Sequence, residues 1–266
     1  MNRSRIEYLI SANGSPGYTL NLVTGCLHQE QGVCRAGKDF TCWAEAITKR
    51  FPERFPNGFV PTLYKNEVYA ALRPSALPQD QICRVGVCFM GDLFGDWNNP
   101  NQLIKMWFDP SQPTYLSLSD LLLKVVRRHP QHHFLFLTKA PWNLQKWAPF
   151  PPNAWVGASV CDAKSAELAQ AGLMGLDAET WGHLRWLSIE PLLEEIDPNI
   201  VQGMDWVVIG GVGGRGKAHQ PKREWIERIA AECIKRHIPV WLKNNLKGVM
   251  GNETLRQEFP LVYKGE

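Results

Sequence analysis

Seven short apolar runs, each closing on a polar or glycine-rich word, set the limits on what this chain can fold into. They are Tyr18–Val23, Val85–Met90, His133–Leu137, Ala154–Val160, Arg185–Ile189, Trp206–Ile209 and Pro239–Leu242. Nearly continuous apolar runs of this length suit parallel strands covered on both faces, because a strand with one wet face alternates. Helical patterns fill the gaps at Thr41–Arg50, Leu116–His129, Ala163–Ala171 and Arg223–His237. This alternation predicts parallel βαβ units, and seven strands predict a full or partial TIM-like β/α barrel in one domain over residues 1–266. The proline-rich stretches Pro52–Pro78 and Pro141–Pro152 read as ordered loops over the barrel ends.

Composition supports a packed enzyme-like domain, with 44% hydrophobic and 21% charged residues. The net charge of +3 is too small to imply a polyanionic partner by itself. No apolar run reaches the roughly 18–20 residues that span a bilayer, which predicts no membrane partner. The opening MNRSRIEYLISANGSPG has no signal-peptide core, so the expected location is cytoplasmic. Thiols stay reduced there, and seven is an odd number, so metal ligation or burial must explain the cysteines.

Barrel enzymes react at the C-terminal ends of their strands. Those ends supply Thr24, Gly25, Cys26, Asp92, Thr138, Lys139, Ser159, Glu190, the glycines from Gly210 to Gly216, Lys243 and Asn244. Cys26, Cys34 and Cys42 follow the first run, with seven residues between successive cysteines. Three thiolates can hold three irons of a [4Fe–4S] cluster and leave the fourth open. The same loop also offers a Cys₃His zinc site with His28. From the loop alone, both metals stand. Cys83, Cys88 and Cys233 read as buried thiols, with Cys161 set near a strand end. His132 and His133 read as structural.

The order of words along the chain carries a resemblance. NLVTGC (Asn21–Cys26), CWAEA (Cys42–Ala46), GDLF (Gly91–Phe94) and LTKAP (Leu137–Pro141) come first, then WVGASV (Trp155–Val160), IEPLL (Ile189–Leu193), WVVIGG (Trp206–Gly211) and WLK (Trp241–Lys243). The chain resembles a phage- and bacteria-associated family of radical S-adenosylmethionine-like proteins of unknown function, itself remotely similar to spore photoproduct lyase around the cluster loop. Its cysteine spacing is wider than in those relatives, and Val212 stands where they carry an acidic or polar residue.

The resemblance implies Cys26, Cys34 and Cys42 as cluster ligands and S-adenosylmethionine as cofactor. It implies Trp43 against the cluster or adenine, and the backbone of Gly210 and Gly211 close to the cofactor. Ser159 and Glu190 would meet the ribose hydroxyls or the methionine amine. Asp92, Lys139 and Lys243 would meet the methionine carboxylate or the substrate. An Asp–Lys pair that satisfies itself is the competing assignment for those charges. A flavodoxin- or ferredoxin-type electron donor is the implied partner. Arg215, Lys217, Lys222 and Arg223 are compatible with a nucleic acid or nucleotide substrate, and equally with a solvated surface.

Overall fold

A computed structural model describes residues 1–10, 14–36, 40–213, 219–251 and 254–261. Twelve strands lie among them. In chain order they are β1 (Asn2–Ser4), β2 (Gly17–Leu20), β3 (Val23–Thr24), β4 (Thr62–Leu63), β5 (Arg84–Val87) and β6 (Leu103–Asp109). Then follow β7 (Gln112–Ser117), β8 (His133–Thr138), β9 (Ala154–Val160), β10 (Leu184–Ile189), β11 (Trp206–Ile209) and β12 (Val240–Leu242). All seven apolar runs become strands of one eight-stranded sheet, ordered β1-β2-β5-β8-β9-β10-β11-β12. From β2 onward every pairing is parallel; β1 alone runs antiparallel, on β2.

The sheet curls without closing among the described residues, so the architecture is a partial barrel and the full-barrel alternative is set aside. Its curl follows from contacts across the concave face. The turn Glu7–Leu9, just after β1, packs Tyr8 and Leu9 against Trp155, Trp186, Trp206 and Trp241 of β9 to β12. Glu7 also accepts from the Asn244 amide at 3.0 Å, just past β12. Three tryptophans fill the floor: Trp155, Trp186 and Trp206 are all at most 1% exposed. Trp186 Nε1 donates to the carbonyls of Phe136 and Trp155 at 3.1 Å each, which satisfies its one polar atom.

The opposite residues of each strand, such as Phe134, Val156, Leu187 and Ile209, face the outer helices. The helices include α1 (Trp43–Arg50), α2 (Lys65–Ala71), α3 (Leu118–Arg128), α4 (Ala163–Met174), α5 (Ala178–Trp181) and α6 (Arg223–Lys235); α2, α3, α4 and α6 pack on that outer face, whereas Ala44 of α1 joins Phe55 and Met90 in a separate cluster. On α3, Leu118, Leu121, Leu122, Val125 and Val126 form a buried stripe. Each contributes roughly 1.5–3 kcal/mol by leaving water.

Two expectations need correction. Leu116 and Ser117 end β7 rather than begin a helix: the Ser117 hydroxyl accepts from the Asp120 amide at 3.0 Å and caps α3 one residue later. Pro52–Pro78 is not all loop, because it holds β4 and α2, and Pro141–Pro152 opens with a 3₁₀ turn over Pro141–Trp147.

Candidate functional site

The cysteine loop is held down by backbone before any metal is considered. Gly25 forms a parallel bridge with Gly91, its amide donates to the Met90 carbonyl at 3.0 Å, and Cys26 donates to Phe59 at 3.1 Å. Gly25 has φ +88°, and a Cβ there would sit 2.4 Å from the Val60 backbone. A Cβ on Gly91 would meet the Gly25 carbonyl at 2.3 Å. Only glycine at both positions lets the loop lie this close to the end of β5.

Further along, the His28 carbonyl takes two amides, Val33 at 2.9 Å and Cys34 at 3.1 Å, which curls the chain between the first two cysteines. The His28 ring is 1% exposed, lies edge-on to Trp97, and places Nε2 2.7 Å from Asp92 Oδ2. Asp92 also accepts from Thr138 Oγ1 at 2.8 and 2.9 Å, the Lys139 amide at 2.8 Å and the Phe94 amide at 3.0 Å. One buried carboxylate thus ties the cysteine loop to the ends of β5 and β8. These donors occupy its lone pairs, leaving little of Asp92 for a ligand.

Cys26, Cys34 and Cys42 all line one cavity of about 1250 Å³. Burial, chiefly, pushes the Cys26 thiol up to about 12, with Asp92, Cys34 and Cys42 adding to the rise. Burial also raises Cys42, which precedes α1, while the Glu45 and Ala44 amides at the helix start pull it back. The thiols are near enough to oppose one another's ionisation, and a cationic centre would relieve that opposition. Thr24 Oγ1 and His28 Nδ1, on the same lining, are buried without a hydrogen-bond partner among the described residues.

The rim of this cavity is made by strand ends. Ser159 ends β9, Ser188 lies in β10, Glu190 follows β10 and Lys243 follows β12; all four line it. Glu190 and Lys243 form an ion pair across the end of β11. A Cβ on Gly210 would stand 3.0 Å from both side chains, so this glycine makes room for the pair. Lys243 Nζ lies 5.7 Å from the ring of Tyr8, a buried cavity residue. The Tyr8 phenol is held well above its ordinary range, first by burial and then by Glu190 and Glu7.

Among protein families, the one described as "protein of unknown function (DUF5131)" matches residues 4–252. The chain belongs to the DUF5131 family. No curated protein and no solved structure matches it.

The DUF5131 match takes in the whole cysteine loop and every rim residue named above. Of the residues expected from sequence, Cys26, Cys34, Cys42, Trp43, Asp92, Lys139, Ser159, Glu190, Gly211 and Lys243 line the one cavity, and Gly210 lies just behind its rim. Trp43 is 53% exposed, so it belongs to the mouth rather than the core. The Lys–carboxylate pair among the described residues of the site is Glu190–Lys243, whereas Lys139 meets Asp92 through its backbone amide. Tyr8 and His28 are the contributors whose roles sequence reasoning missed. A buried tyrosine in a polar N-terminal segment leaves no periodic signal, and His28 stood only as a zinc ligand.

Among the described residues, no group of three or more His, Cys, Asp or Glu side chains is gathered closely enough to share one metal ion. His28 meets Asp92 through Nε2 and leaves Nδ1 open, but the Cys₃His set is not gathered around a single ion among the described residues. A [4Fe–4S] cluster takes one thiolate per iron, so its sulfurs stand farther apart than the ligands of a single ion. Gly214, Arg215, Gly216 and Lys217 lie outside the described residues. Lys222 sits 5.2 Å from the Trp225 ring, and Arg223 pairs with Glu227 at 2.6 Å. No described helix is long and apolar enough to cross a membrane.

Proposed function

We propose that this DUF5131 chain is a radical S-adenosylmethionine enzyme, with Cys26, Cys34 and Cys42 holding a [4Fe–4S] cluster inside the open β/α half barrel. The observation that carries the reading is the meeting of three early thiols with the polar strand ends on one cavity of about 1250 Å³. The donor set suits such a cluster: three soft sulfurs, with Asp92, the carboxylate that acts on Cys26, saturated by protein donors. When bound and reduced, the cluster and S-adenosylmethionine would supply a 5′-deoxyadenosyl radical that takes hydrogen from a substrate. A small external electron donor of the flavodoxin or ferredoxin type would serve the reduction.

The chain's own residues have separable duties in this reading. His28 and Asp92 fix the loop so that Cys26 and Cys34 keep their places. The Ala44 and Glu45 amides at the start of α1 partly offset the burial that opposes the Cys42 thiolate. Glu190 and Lys243 offer one acidic and one basic group for the charged methionine end, and Ser159 and Ser188 offer hydroxyls. Trp43 gives a flat face at the mouth. Below, the tryptophan floor keeps water from reaching the site through the barrel.

The test is anaerobic incubation of reconstituted protein with dithionite and S-adenosylmethionine, followed by assay for 5′-deoxyadenosine. The reading expects product that is lost in Cys26→Ala, Cys34→Ala and Cys42→Ala. A colourless protein that keeps one zinc and makes no product would replace it with the zinc-stabilised alternative.

A further inference from the structure

We infer that the cavity mouth binds a phosphate-bearing nucleobase, with Arg3 and Arg5 on the phosphate side and Phe51 as a stacking face. This deepens the proposed function and rests on it for the chemistry, though the binding can be measured without a cluster. Size comes first. Pockets for one drug-sized ligand run to roughly 300–1,000 Å³, whereas this one is about 1250 Å³. The cavity is larger than one such ligand needs.

Charge decides the ligand class. Five cationic side chains line the cavity (Arg3, Arg5, Arg54, Lys139 and Lys243), against three carboxylates, Glu67, Asp92 and Glu190. Asp92 is saturated and Glu190 is tied to Lys243. The lining therefore carries a net +2, with Arg3, Arg5, Arg54 and Lys139 outside the Glu190–Lys243 pair. Arg3 and Arg5 stand two residues apart at the edge strand β1, on one side of the chain, exposed and with no ion pair among the described residues. Guanidinium groups held free at a cavity edge suit phosphate oxygens, which they bind in fork geometry.

The aromatic partner is on the same lining. Phe51 leaves 49% of its surface exposed, and the Arg50 guanidinium stands 5.4 Å from its ring centroid. Arg54 rides 5.6 Å from the Phe55 ring three residues on. Phe55 is buried, so Phe51 is the exposed ring of this arginine-flanked pair, and such a ring gives a base a face to stack on while arginines neutralise the backbone. Of the sequence's phosphate candidates, Lys222 and Arg223 engage Trp225 and Glu227, and Arg215 and Lys217 lie outside the described residues.

Fluorescence anisotropy on the full chain tests this, with a labelled single-stranded oligonucleotide and a labelled mononucleotide at several salt concentrations. The double variant Arg3→Gln/Arg5→Gln should make the oligonucleotide's log–log salt slope shallower by about 1.4, at about 0.7 per phosphate released. Phe51→Ala should weaken binding roughly 5- to 150-fold with the slope kept. Binding of both ligands places recognition within a single nucleotide, and binding of the oligonucleotide alone assigns the polymer; each supports the inference. Absence of binding, or binding matched by a sulfated polysaccharide and indifferent to all three substitutions, overturns it. Iron–sulfur absorption in the same samples separates the two ideas. Nucleotide binding in a protein that never takes up a cluster sinks the radical reading alone, and a cluster-bearing protein that ignores both ligands sinks this inference alone.

Discussion

The floor of the half barrel is held by Trp155, Trp186 and Trp206, each almost wholly buried and packed ring against ring at 5.4–5.5 Å. The cysteine loop and rim are held by a saturated carboxylate with its histidine, a pair of glycines and the Glu190–Lys243 ion pair. Dispersion and burial act on the floor from every side, so it tolerates loss of any one hydrogen bond. Polar contacts at the rim are few and directional, so each carries a larger share of local order. A fold that must keep thiols reachable cannot bury them in apolar packing, and it fixes them through backbone and Asp92 instead.

The largest expected effect lies in the floor. Trp206→Ala should cost about 3–5 kcal/mol by opening a large apolar cavity, read from the urea midpoint. Cys34→Ala in the loop should cost under about 1 kcal/mol on the same scale. Equal losses would erase the contrast. Next comes the clasp, where Asp92→Ala should cost about 3 kcal/mol, because it orphans the buried His28 ring and the Thr138 hydroxyl together. That variant should also lower iron uptake by apo-protein, which Trp206→Ala should do only in proportion to its unfolded fraction. Gly25→Ala is smaller, about 1–3 kcal/mol, from its positive φ and the Val60 backbone in its way; a neutral result would deny that this approach sets the loop.

The smallest effect is a displacement along the pH axis, and it belongs to the floor end. Burial, aided by Arg84 beside His133 and Arg185 beside His183, lowers both histidines from 6.5 to about 4. His132 falls to about 4 as well, through burial and then His129. Unfolded histidine takes up protons below about pH 6.5 while the folded ring stays neutral until about 4, so the unfolded chain binds more protons in that window. Stability is therefore full above pH 6.5 and drains away as pH falls toward 4. His183→Phe should shift the acid limb of a thermal-melt series to lower pH. An unmoved limb would clear His183 of that duty.

Much of the fold was written in the pattern of runs, because parallel strands covered on both faces must be apolar almost throughout. β1 escaped because Asn2, Arg3 and Ser4 form a short polar edge strand with no such burial. The hairpin β6–β7 escaped for a different reason. Its Ile104 and Met106 are buried while Leu103, Lys105 and Trp107 are exposed, an alternation that an apolar-run search passes over. The rim residues were legible from the rule that barrels react at strand ends, and they do share one cavity. What each rim residue touches was not legible, since the Asp92–Thr138 and Glu190–Lys243 pairings join positions 46 and 53 residues apart.

The central claim is that three thiols bordering one cavity hold a single cluster. Iron and sulfide analysis after anaerobic reconstitution tests it most directly. The account predicts a brown protein with about four irons per chain, and loss of most of that iron in each of Cys26→Ala, Cys34→Ala and Cys42→Ala. Iron that persists in all three variants, or a wild-type chain that takes up none, would contradict it.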